Sequence, residues 1–338
     1  MPSARAHFQR AVELEQRGDR GGAAREYSAA MAVGDDDVTG TAAYNLGNLL
    51  ADEGNTAAAA DAWYTAVNAA PSAVTPSAAF NLANAYASDA DTGFATALYE
   101  MAAQLGSPEL RAQALVNRGN MHAAHGAADA ALADYSRVVQ LGPPQYTQAA
   151  RIQAAAVHAA AGRGAEAVRL LTEASRGPGR REAATAQFNL GNLHADLGDR
   201  NRARTAYVAA LDSGIPDMAA RAGINLGNML RDARDMTGAK AAYARAVAAA
   251  GPEFSAWALN EQGAGFAAAG DHVAAEESFR RAVEAGGSSV AMAQLNLGVA
   301  LKDQGRVAEA RKTWSALLAA GDPQVRDRAQ AFLRQYRS

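Results

Sequence analysis

The chain has 338 residues, with 49% hydrophobic and 6% aromatic side chains, no cysteine and a formal net charge of −3. The missing cysteines exclude disulfides and every zinc or nucleophile site built on thiols. A near-neutral charge gives no general reason to expect nucleic acid as a partner. Alanine dominates and prolines number ten, the composition of a helical protein, since Ala has the highest helix propensity.

The first residues, Met1-Pro2-Ser3-Ala4-Arg5-Ala6-His7, lack the apolar core of a secretion signal. No run of about 18 apolar residues is present to span a membrane. The expectation is a cytoplasmic protein without membrane contact. Charge is unevenly placed. Residues 26–110 contain no Lys or Arg and eleven acids, including Asp35-Asp36-Asp37. Residues 1–169 carry 11 basic and 17 acidic groups, and the remainder 21 and 18. Such an acidic half attracts a basic partner, or simply keeps the surface solvated.

In chain order, the string Asn-Leu-Gly-Asn stands at 45–48, 189–192 and 225–228. Its relatives are Asn81-Leu82-Ala83-Asn84, Asn117-Arg118-Gly119-Asn120 and Asn296-Leu297-Gly298-Val299. The first five starts are 36 residues apart, or twice that. The slots at Gln153 and Glu261 are degenerate copies, and a first copy with Gln9 in the slot begins near Ala4. Eighteen residues after each string comes a large side chain: Tyr27, Trp63, Tyr99, Tyr135, Leu171, Tyr207, Tyr243, Phe279 and Trp314. An Ala precedes each by four residues, and a small residue usually follows by three, as in Ala59-Trp63-Ala66. That spacing puts all three on one helix face, small–large–small, so a neighbouring helix can approach closely. Between the landmarks lie turns such as Gly54-Asn55, Gly162-Arg163, Gly198-Asp199, Gly270-Asp271 and Gly305-Arg306. Breakers follow the second helix at Gly106-Ser107-Pro108, Gly142-Pro143-Pro144, Gly251-Pro252 and Gly321-Asp322-Pro323. Each unit therefore reads as helix A, a tight turn, helix B and a breaker.

The order Leu-Gly, Gly, Ala, aromatic, Ala, Pro resembles the tetratricopeptide repeat, whose usual period is about 34 residues. Here the two extra residues are expected in the loop from helix B to the next helix A. The resemblance covers residues 4–326, with repeats near 4–39, 40–75, 76–111, 112–147, 148–183, 184–219, 220–255, 256–290 and 291–326. The first copy has Arg10 in the Leu slot, and the fifth lacks both the Asn and the aromatic. An Arg-rich helix over 324–338 caps the exposed end. The resemblance implies an all-α fold: an α-solenoid of about nine helix–turn–helix repeats in a right-handed superhelix, helix A inside and helix B outside. The Sel1-like relatives, whose bulged glycine turns are missing here, are the second choice.

Asn is a poor residue for a helix interior, by roughly 0.5–0.7 kcal/mol against Ala, yet helix A keeps two rows of it. The first row is Asn45, Asn81, Asn117, Asn189, Asn225 and Asn296. The second is Asn48, Asn84, Asn120, Asn192 and Asn228, followed a turn later by Asp52, Asp196, Asp232 and Asp303. In family members that bind extended polypeptides, asparagines in the first-row slot form a ladder on the concave surface. By that resemblance these residues are candidates for peptide binding. A carboxamide offers both donors and an acceptor to a peptide backbone. Helices packed roughly 8–10 Å apart would meet an extended chain at about every third residue. The alternative is that the carboxamides bridge neighbouring A helices or hold water. The rows are interrupted at the fifth and eighth repeats, which predicts two usable segments, 40–147 and 184–255.

The carboxylate-clamp variant of the family needs Lys before the first Asn. Here the preceding residues are Tyr44, Phe80, Val116, Phe188, Ile224, Asn260 and Leu295, so no clamp is expected. His122, His158 and His194 share one slot in successive repeats, too widely spaced for one metal ion; packing is the expected role. No Ser/His/Asp order, phosphate loop or dinucleotide fingerprint is present. The Arg-flanked Gly177-Pro178-Gly179 has no strand before it, so neither phosphate nor nucleic acid is expected there. The expectation is thus a non-catalytic protein–protein interaction scaffold, with no cofactor or metal, holding a protein or extended peptide segment that is basic where it meets the acidic half. Two rivals are an enzyme or small-ligand sensor using the groove as a pocket, and a self-assembling scaffold. In the latter, acidic repeats meet the Arg-rich end of another copy.

Overall fold

In the computed structural model, residues 2–88, 92–319 and 322–336 are described, except for the Glu253 side chain. The described residues are helical throughout, with no strand. They fall into two compact units, 1–163 and 164–338.

The first unit contains α1 (Ala4–Gln16), α2 (Arg20–Val33), α3 (Asp36–Asp52), α4 (Thr56–Asn68), α5 (Thr75–Tyr86), α6 (Gly93–Leu105), α7 (Pro108–Ala124), α8 (Ala128–Leu141) and α9 (Pro144–Ala160). The second contains α10 (Gly164–Ser175), α11 (Arg180–Asp196), α12 (Arg200–Leu211), α13 (Pro216–Asp232), α14 (Met236–Ala249), α15 (Gly251–Ala268), α16 (His272–Ala285), α17 (Val290–Asp303), α18 (Val307–Ala316) and α19 (Pro323–Gln335). Consecutive helices pack as pairs, α1 on α2 and α3 on α4 in the first unit, α11 on α12 and α13 on α14 in the second. Each pair packs on the next, which makes each unit an α-solenoid.

A three-residue connector makes the α1–α2, α3–α4, α7–α8, α11–α12, α13–α14, α15–α16 and α17–α18 pairs. After α3, Gly54 takes φ 79°, the left-handed region where glycine carries no steric cost. That bend lets the amide of Asn55 donate back to the carbonyl of Leu50 at 2.9 Å, closing α3. The Asn55 side chain then accepts from the amide of Ala58 at 3.3 Å, opening α4. Asp19, Asp199, Asp235 and Asp271 cap helix B in the same way. Arg234 occupies the glycine position before α14, with φ 64°, the one non-glycine among the described residues with positive φ.

Two expectations about the connectors are corrected. The prolines read as breakers begin the next helix: Pro108, Pro144 and Pro323 stand first in α7, α9 and α19, and Pro252 second in α15; Pro216, outside that reading, stands first in α13. There the missing amide costs nothing and the fixed φ is already helical. Gly321, part of the last expected breaker, lies outside the described residues. The long period also does not lengthen every loop from helix B to helix A: residues 69–74 separate α4 from α5, but other junctions are short. Only 106–107 separate α6 from α7, and only 142–143 separate α8 from α9. The length goes into helix A, which has 17 residues in α3, α7, α9, α11 and α13.

The core of each pair is the large side chain of helix B against the glycine of helix A. Tyr27, Tyr99, Tyr135, Tyr243, Phe279 and Trp314 are essentially fully buried. A Cβ added at Gly47 would stand 2.5 Å from Trp63, and one at Gly227 would stand 2.3 Å from Tyr243. Glycine is there because the ring lies on the backbone. In α1, α5 and α9 this slot holds Ala11, Ala83 and Ala155, each buried. The chain ends with α19 on α18, burying Val325 and Ala329 and stacking Phe332 on Trp314 at 4.9 Å between centroids. No described helix is long and apolar enough to cross a membrane.

Candidate binding surface on the A helices

A buried tyrosine brings its hydroxyl with it, and that hydroxyl needs a partner. Burial pushes the hydroxyls of Tyr99 and Tyr135 up to about 12, so they remain protonated donors. Each finds the second-row asparagine of its own helix A. Tyr99 donates to Asn84 Oδ1 at 2.6 Å, Tyr135 to Asn120 at 2.8 Å, Tyr207 to Asn192 at 2.8 Å and Tyr243 to Asn228 at 2.7 Å. Trp63 does the same with its indole N–H, to Asn48 Oδ1 at 3.0 Å.

That oxygen has a second lone pair, which the next helix A uses. Asn81 Nδ2 donates to Asn48 Oδ1 at 3.0 Å, Asn117 to Asn84 at 2.9 Å and Asn225 to Asn192 at 2.9 Å. One carbonyl oxygen therefore joins two helices of one pair to the first helix of the next. We call this arrangement the clasp. Of the two readings the sequence left open, inter-helix bridging is realised at these positions.

The clasp also accounts for its own gaps. Where helix B carries no polar tip, as at Leu171 and Phe279, the second-row slot is Ala156 or Ala264. Asn228 faces a repeat whose first-row slot is Glu261, whose side chain carries no amide N–H; Arg231 donates to Asn228 Oδ1 instead, at 3.2 Å. Val12 fills the first repeat's slot, so Tyr27 turns to Glu15 at 2.7 Å and receives Asn45 Nδ2 at 3.4 Å. Asn296 Nδ2 reaches Asn260 Oδ1 at 3.1 Å. Asn189 makes no side-chain hydrogen bond among the described residues.

Clefts lie between successive A helices, and the two rows line them. One of about 800 Å³ is bounded by Asn48, Asp52, Trp63, Asn81, Asn84 and Tyr86. The next, about 580 Å³, shares Asn84 and adds Tyr99, Asn117 and Asn120. A third, about 530 Å³ and mostly apolar, shares Asn120 and adds Tyr135, Gln153 and Val157. In the second unit Asn225, Asn228, Tyr207 and Asp232 line a smaller cleft of about 290 Å³. Most of these asparagines are half-buried, and Asn84 and Asn120 are exposed. The acids below the rows are partly spent: Asp52 pairs with Arg20 at 3.3 Å, Asp232 with Arg231 at 2.8 Å and Asp303 with Lys302 at 2.5 Å. Asp196 is exposed, with no ion pair among the described residues.

One feature of the first unit has no counterpart in the sequence pattern. Arg118 fills the Leu slot of α7 and is buried. Its Nε and one amino group meet both oxygens of Asp134 at 2.9 and 2.5 Å, and the other amino group meets Glu100 at 2.5 Å. Burial raises the Glu100 carboxyl, but hydrogen bonds from Arg137, Gln104 and Arg118 outweigh it and hold the group at about 2. Further along α7, His122 is half-buried, and burial lowers its basicity; His194 of α11 is buried with the same effect. Among the described residues no cluster of three His, Asp or Glu could hold a metal ion.

The fold and this surface define a helical repeat protein with a carboxamide-lined A-helix face. The sequence model of the Tetratricopeptide repeat family matches residues 8–74, 188–254 and 260–326. These segments make up more than half of the chain, and the chain belongs to that family. Proteins built of this repeat are generally interaction scaffolds. No curated protein matches the sequence. Among solved structures, a protective antigen of uropathogenic Escherichia coli strains displaying an SLR fold is similar, at 17% identity and TM-score 0.53, covering 99% of this chain and 72% of that one. A tetratricopeptide repeat protein from Parabacteroides merdae gives 17% identity and TM-score 0.47, over 88% of this chain and 98% of that one. Yeast Tom70 gives 13% identity and TM-score 0.46, over 93% of this chain and 59% of its own.

Proposed function

We propose that the chain is a non-catalytic scaffold that holds an extended segment of a protein partner along the carboxamide-lined clefts of its A helices. The observation that carries this reading is what the clasp leaves over. Each clasp uses the Nδ2 of a first-row asparagine and the Oδ1 of a second-row one. The first-row Oδ1 and the second-row Nδ2 have no partner among the described residues. An acceptor and a donor on one cleft wall match the N–H and C=O of an extended backbone without reading its side chains. Since each such hydrogen bond nets about 0.5–1.5 kcal/mol, and ordering the peptide offsets part of it, modest affinity and loose sequence preference follow.

The test uses carboxamides whose loss leaves the clasp intact. Asn189→Ala removes a carboxamide that holds no other side chain, and Gln153→Ala does the same at the third cleft. A library of extended peptides displayed against the native chain supplies binders. Each substitution should weaken them severalfold while the melting temperature stays within a degree or two. Unchanged affinity in both variants would remove the carboxamides from the binding account.

A further inference from the structure

The Lys- and Arg-free stretch, residues 26–110 with its eleven acids, contains a second unusual surface. Phe94, at the start of α6, meets Tyr86 of α5 edge-on at 5.2 Å between centroids and Tyr64 of α4 at 6.4 Å. Tyr64 and Phe94 are 53% and 43% exposed. Their neighbour in sequence, Trp63, is the buried ring of the clasp, so Tyr64 points away from the core that helix B serves. Tyr86 also lines the cleft of about 800 Å³, beside Asn81 and Asn84. The rings and the carboxamides therefore share one continuous surface. Asp61 stands one helical turn before Tyr64 on α4 and is exposed; its carboxylate has no ion pair or hydrogen bond among the described residues. Arg20, the cation that reaches this neighbourhood from outside the stretch, is committed to Asp52.

We propose that Tyr64, Phe94 and Tyr86, with Asp61 beside them, seat an arginine or lysine side chain of the extended partner segment. The proposal rests on the groove reading above and names the chemistry of its occupant. An aromatic face attracts a cation through its quadrupole, and a guanidinium stacks on it as well. Asp61 lies within a turn of that face and has no competing cation. An apolar occupant would gain from the rings but would leave the carboxylate and the surrounding acids unused. A cation uses both, and the field of eleven acids would also speed its arrival.

The test has two probes. N-acetyl-arginine methylamide, titrated against ring carbon signals of the tyrosines and phenylalanines, reports the seat alone. A pair of extended dodecapeptides, identical except for arginine or its neutral isostere citrulline at the centre, reports seat and groove together. The arginine dodecapeptide is expected to bind about fivefold tighter than the citrulline one. The Tyr64→Leu/Phe94→Leu double variant should abolish that difference while keeping the surface apolar. Asp61→Asn should roughly halve it, and about 0.5 M salt should shrink it in the native chain. Equal binding of the two dodecapeptides, or a preference that survives the double variant, overturns the seat and leaves the groove standing. Ring shifts with the capped arginine, but no gain from the longer peptide, keep the seat and overturn the groove. No response to any probe overturns both.

Discussion

The α7–α8 pair of the first unit and the α13–α14 pair of the second occupy the same repeat positions with different cores. In the second unit, Leu226 and Ala242 belong to one apolar core. In the first, the same slots hold Arg118 and Asp134, a buried ion pair extended to Glu100. What does not change is the glycine under the ring, Gly227 or Gly119, and the tyrosine donating to the second-row asparagine. These two repeats therefore carry opposite chemistries in their cores but share the ring, the glycine and the carboxamide. The clasp, more than the apolar filling, is what the repeat specifies.

The largest effect should come from breaking the ionic core. Asp134→Ala leaves the Arg118 guanidinium buried with half its partners gone, a loss of about 3–5 kcal/mol. Converting both positions to the pattern of the second unit, Arg118→Leu with Asp134→Ala, should return the stability to within about 1 kcal/mol of the native chain or exceed it. Urea denaturation of the three proteins decides this. If the double variant is as damaged as the single one, the two cores are not interchangeable.

Next, the glycine should be equally intolerant in both regions. Gly119→Val and Gly227→Val each drive a branched side chain into a buried tyrosine ring, at about 1–3 kcal/mol. A thermal shift in only one of the two would show that the close approach belongs to one unit and not to the repeat.

Acid should then separate the regions. Glu100 titrates at about 2 in the folded chain, against an ordinary value of 4.5. Its contribution to stability is complete above 4.5 and is lost as pH falls from there toward 2. The α13–α14 pair has no such group in those slots. Hydrogen exchange should show α7 and α8 loosening across that window, and Glu100→Gln should flatten the dependence. Above it, both units respond alike. Burial keeps His122 and His194 neutral, while the unfolded chain takes up protons below about 6.5, so stability declines as pH falls through that value.

The smallest effect concerns Arg234. A non-glycine in the left-handed region costs roughly 1–2 kcal/mol, and glycine gives back part of that through the unfolded chain. Arg234→Gly should therefore stabilise the second unit by somewhat under 1 kcal/mol, measured as a small rise in melting temperature.

Much of this was legible in the sequence. The 36-residue spacing, the Gly-turn and the Ala-aromatic-Ala stripe placed the helices and connectors, because each depends on local backbone chemistry. The clasp was harder to see because its bonds span 15 and 33 residues, as in Trp63–Asn48 and Asn81–Asn48. Its signature was nevertheless present: an asparagine stands opposite a Tyr or Trp, and an alanine opposite Leu171 or Phe279. The rows read as a surface or as bridges between A helices, and neither reading includes the pairing with helix B. Arg118 stood out only as one letter in a relative of the Asn-Leu-Gly-Asn string, since nothing local announces Glu100 and Asp134 as its partners. The length of helix A was misplaced because a proline after a glycine signals both the end of one helix and the start of another.

The most direct test of the clasp is a double-mutant cycle at Asn192 and Tyr207, followed by urea denaturation. Asn192→Ala alone should cost about 1–3 kcal/mol, because it strands the Tyr207 hydroxyl and the Asn225 amide. Adding Tyr207→Phe, which recreates the Ala-with-Phe pairing of α15 and α16, should cost little more, giving a coupling of about 1 kcal/mol. Strictly additive losses would contradict the claim that ring tip and carboxamide act as one unit.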